Sequence, residues 1–176
     1  MALRNIVKKG DECLTKKCRE VTEFNGRLHK LLDDMRETLI DSNGVGLAAP
    51  QVGILRRVVL VMDTNNDDEI IELINPEIID SDGEQEGPEG CLSVPGVWGI
   101  VKRPWWVKVK AQDRNGEWFE VEGDGLTGRC FCHEIDHLSG VLFDVRAERL
   151  LTAEEIQAMA AEEEYEDYED YEDYEE

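Results

Sequence analysis

The stretch that most constrains this chain is Gly128 to Gly140, GRCFCHEIDHLSG, which holds the pentad His133-Glu134-Ile135-Asp136-His137. On an α-helix, residues i and i+4 lie on one face. The two imidazoles can therefore grip a single metal ion, with the Glu134 carboxylate beside it and within reach of an activated water. This is the H-E-x-x-H arrangement of hydrolytic metal sites. The bland alternative is a polar surface helix that happens to carry two histidines, but histidine is scarce in this chain and His29 is the only other one.

Two ligands do not complete a catalytic site; three protein ligands and one open position usually do. Downstream there is no histidine, and Glu148, Glu154 and Glu155 are among the acids available. Upstream stands EGPEGCLSVPG, with Cys91 between Gly90 and Leu92. A glycine lets the backbone approach closely, and a thiolate is a strong ligand for Zn²⁺ or Fe²⁺.

The chain has 176 residues, a one-domain length that can bury a core without staples. No apolar run approaches the roughly 20 residues of a membrane span, and the opening MALRNIVKKGDECLTKKC has no apolar core of a secretory signal. A cytoplasmic location and no membrane partner are expected. Five cysteines, an odd number, argue against a disulfide framework. Half of the net charge of −22 sits in residues 162–176, which hold eleven acids and no base and repeat a Tyr-Glu-Asp triplet. Such a segment is expected to be a disordered, solubilising tail. The acidic body argues against a general nucleic-acid-binding surface.

Apolar positions Leu28, Leu31, Leu32, Met35 and Leu39 form a helical stripe closed by Asn43-Gly44. RRVVLVMD and IIELINPEII look like strands parted by a turn-rich stretch. WVKVKAQDRNGEWFEVEG alternates apolar and polar residues across Asn-Gly, the clearest hairpin signal. The His-Glu helix follows, and Thr152-x-x-Glu155 opens a last helix. Strands grouped between helices, without βαβ alternation, predict an α+β fold: antiparallel sheets around a central HExxH helix, an N-terminal helix and a short C-terminal one. Residues 1–161 are expected to form one catalytic domain and 162–176 the tail.

Three motifs in order, GVGLAAPQ (Gly44 to Gln51), EGCLS (Glu89 to Ser93) and HEIDH (His133 to His137), make the sequence resemble peptide deformylases over about residues 4–145. The resemblance implies a metal-dependent hydrolase that removes the formyl group from the N-terminal methionine of new polypeptides and releases formate. Carried over by motif, it makes Cys91, His133 and His137 the ligands of one divalent ion, Fe²⁺ by preference, with Ni²⁺ or Zn²⁺ as substitutes. Glu134 becomes the general base and acid, and the Gln51 amide and Leu92 N–H the donors to the oxyanion. Gly44, Gly46 and Gly90 would flank the substrate's main chain, while Val45, Leu126, Cys130 and His133 would wall the methionine pocket. Asp136 would stand behind the ligands, paired with Arg103.

The sequence departs from the family pattern at two places: Cys132 stands where glutamine is common, and Trp98 where many members carry an arginine that lines the cleft. The expected partner is the N-formylmethionyl nascent chain. Ribosome contact is expected to be transient, because phosphate contacts rely on Lys and Arg and this C-terminus is acidic. Three rival readings compete: a zinc endopeptidase with a downstream ligand, a non-catalytic metal-binding module, and a structural zinc held by Cys13, Cys18, Cys130 and Cys132.

Overall fold

The computed structural model describes residues 2–172, with side chains described as far as Tyr165. Its centre is a five-stranded antiparallel sheet in the order β1-β2-β3-β6-β7, formed by Gly46–Ala48, Val58–Asp63, Glu69–Asp82, Trp106–Gln112 and Trp118–Asp124. Strand β2 reads as a continuous apolar run because it is buried on both faces. Val58 and Leu60 pack with Leu28, Leu32, Met35 and Leu39 of helix α1 (Gly26–Asp41). Val59 and Val61 turn the other way, onto Phe131, Cys130 and Leu138 of the helix α2 segment. Period 2 in the strand thus sorts alternate residues into two cores.

Helix α2 (Gly125–His137) carries the pentad and is the central helix expected from the sequence. Beyond it lies a three-stranded antiparallel sheet, β4 (Gln85–Cys91), β5 (Val94–Arg103) and β8 (Arg149–Leu150). Among the described residues β1 pairs only with β2, and β4 only with β5, so each leaves one edge open. A third core, with Leu14, Val94, Val101, Leu142 and Phe143, joins this small sheet to the N-terminal segment and to the single turn α3 (Phe143–Arg146).

Several expectations change in detail. The Asn-Gly hairpin has a five-residue loop, since Gln112 pairs with Trp118. Asp113 sets it by accepting hydrogen bonds from the N–H groups of Asn115 and Glu117, and Gly116 takes the left-handed φ of 84°. The closing helix is not short. As α4 it spans Ala153–Glu172 and so enters the acidic stretch that composition assigns to a disordered tail. The Thr152-Glu155 box caps it in both directions, and between Ala153 and Glu172 there is no Gly or Pro to stop it, only residues dominated by Glu and Ala. Residues 173–176 lie outside the described residues. No described helix is long and apolar enough to cross a membrane.

Candidate active site

Cys91 ends β4, and His133 and His137 stand one turn apart on α2. Their ligating atoms lie within 4.8 Å of one another. His137 Nε2 is 3.5 Å from the Cys91 sulfur, and the two imidazoles meet edge to face at 5.2 Å. Among the described residues no other group of three His, Cys, Asp or Glu side chains converges in this way. The four-cysteine zinc reading therefore has no support: Cys18, Cys130 and Cys132 are free thiols packed in the core, and Cys13 is a free thiol in the 3-10 turn Glu12–Thr15. Burial pushes the Cys132 thiol up to about 11 and that of Cys130 higher still, so both are inert.

The fit to a metal can be judged from the polar atoms alone. One thiol and two imidazoles converge from two elements, and buried beside them is a Glu134 Oε2 that has no hydrogen-bond partner. Buried polar atoms are normally satisfied, and an orphan beside a donor cluster marks a place built for something more. Glu134 is only 4% exposed, and burial pushes its carboxyl up to about 7. A carboxyl that exchanges a proton near neutrality suits general acid–base work.

His133 is held from behind. Glu89 Oε1 bonds His133 Nδ1 at 2.9 Å, which leaves Nε2 to face the site. The same carboxylate takes Arg103 in a bidentate pair at 2.9 and 2.9 Å, and Arg129 at 2.6 Å. Burial alone would raise Glu89, but these bonds outweigh it and hold the carboxyl at about 2. For His133, burial would lower the ring, yet its bonds to Cys91 and Glu89 bring it to about 10. His137, without such a partner, is driven down to about 3 by burial. Arg103 also reaches Asp136 Oδ2 at 2.8 Å, the pairing expected from the resemblance, and Arg146 takes both oxygens of Asp136, Oδ2 at 2.6 Å and Oδ1 at 3.0 Å.

Gln51 sits in a 3-10 turn, Ala49–Val52, that follows β1. Its Oε1 accepts the Ala48 N–H at 2.9 Å, so Nε2 points at the Cys91 sulfur (3.4 Å) and Ser93 Oγ (3.2 Å). Leu92 is in the β4–β5 turn directly after Cys91. The three glycines have neighbours the sequence does not announce. A Cβ at Gly46 would lie 2.5 Å from Glu134 Oε1, one at Gly90 2.9 Å from the Trp98 ring, and one at Gly44 3.0 Å from Leu92 Cδ1. Each lets a protein side chain in, whatever it does for a peptide. Val45 and Leu126 are partly exposed and Cys130 is buried.

Sequence reasoning missed Glu89, Arg129, Ser93 and Arg146. Glu89 lies two residues before Cys91 on one strand, and Arg129 one turn before His133 on one helix, so period 2 and the i, i+4 rule would have found both.

A pentad helix completed by a cysteine from an upstream strand, inside an α+β fold, defines a class of metal hydrolase distinct from those whose third ligand lies downstream. Comparison narrows the class. The sequence matches the polypeptide deformylase family over residues 3–152, a longer span than the three motifs alone indicate and one that takes in α3 and β8. It is 56% identical over 143 residues to the peptide deformylase of Lachnoclostridium phytofermentans, covering 81% of this chain and 88% of that one. It is 54% identical to that of Caldanaerobacter subterraneus subsp. tengcongensis, covering 90% and 98%. The crystal structure of the Thermotoga maritima peptide deformylase superposes with a TM-score of 0.80 at 40% identity, covering 85% of this chain and all of that one. A Met-Ala-Ser-bound deformylase from Acinetobacter baumannii superposes at 0.77, with 36% identity and coverage of 82% and 98%. The chain belongs to the peptide deformylase family.

Proposed function

We propose that this metal-dependent hydrolase removes the N-formyl group from the methionine that begins a nascent polypeptide, acting in the cytoplasm on chains as they emerge. The observation that carries the reading is the convergence of Cys91, His133 and His137 beside the buried, unpartnered Glu134 Oε2, at the open edge of β1.

The residues Cys91, His133 and His137 would hold one divalent ion, Fe²⁺ by preference, with Ni²⁺ and Zn²⁺ as substitutes that a sulfur–imidazole donor set accepts. When bound, the ion supplies the Lewis acidity that makes water a nucleophile at neutral pH. Everything else falls to the chain. The substrate's first residues add as a strand to the edge of β1, facing β4 across the cleft. Val45, Leu126 and Cys130 wall the methionine side chain. Glu134 accepts a proton from the attacking water as its oxygen bonds to the formyl carbon. The Gln51 amide and the Leu92 N–H donate to the oxyanion that forms. Glu134 then delivers the proton to the departing amine, the C–N bond breaks, and formate leaves. Glu89, held by Arg103 and Arg129, keeps the His133 ring in the tautomer that presents Nε2. Asp136 supports Arg103.

The test is formate release from N-formyl-Met-Ala-Ser by protein purified without oxygen, with Glu134→Ala as the control. Release by the wild type and at least a 100-fold loss in the variant, at equal metal content, is expected for a removed acid–base group. Equal rates would overturn the role of Glu134. Elemental analysis of the same preparation identifies the metal, and a dominant content other than iron would overturn that preference.

A further inference from the structure

The groups placed around the formyl carbon come from α2, from the turn after β1 and from the β4–β5 turn. A fourth segment touches the last two of these. Val7, Lys8 and Lys9 run along the back of both turns, and each makes one bond to them. The Val7 N–H donates to the Gln51 carbonyl at 2.8 Å, the Lys8 ammonium to the Leu92 carbonyl at 3.0 Å, and the Lys9 N–H to the Ser93 carbonyl at 2.8 Å. The Lys9 ammonium continues the line to the Asp144 carboxylate of α3.

What is strapped together matters. Gln51 follows β1 of the five-stranded sheet, while Leu92 and Ser93 turn between strands of the three-stranded one. The two donors assigned to the oxyanion therefore belong to different sheets. On the cleft side, the Gln51 amide reaches Ser93 Oγ at 3.2 Å; on the far side, residues 7–9 close the ring. An oxyanion hole works only if its donors stand about 2.7–3.1 Å from one point, so the spacing of the two turns must be held to a few tenths of an ångström. The bonds of Val7 and Lys9 to these turns are made by backbone N–H groups, which most residue types could supply. The bond to the Leu92 carbonyl is made by a side chain, and its donor is charged, the stronger kind of hydrogen bond.

We infer that Lys8 is a positioning residue for deformylation: by holding the Leu92–Ser93 peptide from behind, it sets where the Leu92 N–H stands relative to the Gln51 amide. The inference rests on the oxyanion roles given above to Gln51 and Leu92. Lys8 is exposed, so its replacement leaves the cores intact.

The experiment compares Lys8→Met, Lys8→Arg, Gln51→Ala and Lys17→Met in the nickel-loaded enzyme on N-formyl-Met-Ala-Ser, with metal content and thermal midpoint measured for each. Lys17 is exposed and has no ion pair among the described residues, so its variant serves as the unchanged control. Lys8→Met is expected to lower kcat about fivefold, as the loss of one positioning hydrogen bond does, with KM, metal content and midpoint unchanged. Lys8→Arg, whose donors reach the same carbonyl, is expected to restore most of the rate. A Lys8→Met rate equal to wild type, beside a Gln51→Ala rate about 100-fold lower, would overturn the inference and leave the oxyanion reading standing. An unaffected Gln51→Ala would sink that reading and the role of Lys8 with it. A Lys8→Met variant that loses metal in step with kcat would also overturn the inference, since the strap would then serve Cys91 rather than the oxyanion donors.

Discussion

Two buried carboxylates, Glu89 behind His133 and Asp34 on helix α1, are 4% and 2% exposed, and both are surrounded by cations. Asp34 takes the Ala2 N–H at 2.8 Å, Arg4 at 2.9 Å and Lys30 at 3.2 Å. Glu89 takes Arg103, Arg129 and His133. They differ in where the partners lie. Arg103 and Arg129 are as buried as Glu89 itself, whereas Lys30 is 63% exposed and Arg4 29%. One carboxylate neutralises charges that have no water to turn to, while the other fastens an N-terminal segment whose cations keep their hydration. The same chemical device thus serves function in one region and attachment in the other.

Removing each carboxylate sharpens the contrast. Glu89→Gln leaves two arginines buried without a full counter-charge and frees the His133 ring. A loss of about 3–5 kcal/mol is expected for a broken buried ion pair, read as a large drop in thermal midpoint. The variant is also expected to lose about 10–100-fold in metal affinity, the usual effect of removing a partner behind a metal ligand, measured by competition with a chelator. A Glu89→Gln protein with wild-type metal affinity would break the comparison.

Asp34→Asn is expected to cost less, about 1–2 kcal/mol, because the cations it releases reach solvent and one hydrogen-bond acceptor remains. Formate release at 25 °C should be unchanged. A fall in kcat would mean that the anchor of residues 2–4 on Asp34 also governs the strap of residues 7–9.

The smallest effect is the separation of the two sites by pH. Burial would raise Asp34, but the bonds from Ala2, Lys30 and Arg4 hold its carboxyl below the usual range. Glu89 is held at about 2. For a carboxyl lowered by folding, the stabilisation is complete above the unfolded value of about 4 and fades as pH falls through the folded one. Acid titration of the metal-free protein should therefore show stability declining between about pH 4 and pH 2. Asp34→Asn should remove part of that slope and Glu89→Gln more of it. An unchanged slope in Glu89→Gln would show that folding does not lower the Glu89 carboxyl.

How much of the molecule is legible in its sequence depends on the kind of signal each part leaves. The α1 stripe, the β2 run and the β6–β7 alternation are local patterns of burial, and the sequence displays them directly. Strand β4 was not legible as a strand, because Gly87, Pro88 and Gly90 are poor strand formers. They are tolerated because β4 is an edge strand, and because the missing Cβ at Gly90 admits Trp98. That Cys91, His133 and His137 belong together was legible from residue type and spacing. Spacing from Cys91 and His133 points to Glu89 and Arg129, but the bonds that join both to Arg103 were not legible, since the members come from β4, β5 and α2 and meet only when two sheets close on a helix. The strap of residues 7–9 is harder still: two of its three bonds to the site turns are made by backbone, which carries no residue code. Helix α4 leaves another kind of signal: the Thr152-Glu155 box and a run without Gly or Pro mark a helix as far as Glu172, where composition reads only as acidic.

Strand β1 is three residues long, and on the proposed reading that brevity limits the main-chain contacts a polypeptide can make there. Three residues offer two or three main-chain hydrogen bonds, each worth roughly 1 kcal/mol net. Together they supply no more than about 3 kcal/mol, short of the roughly 4 kcal/mol of a millimolar complex. Recognition of this kind is blind to downstream sequence and weak enough to end quickly. On that reading, an edge this short lets a bound chain go soon after it is met.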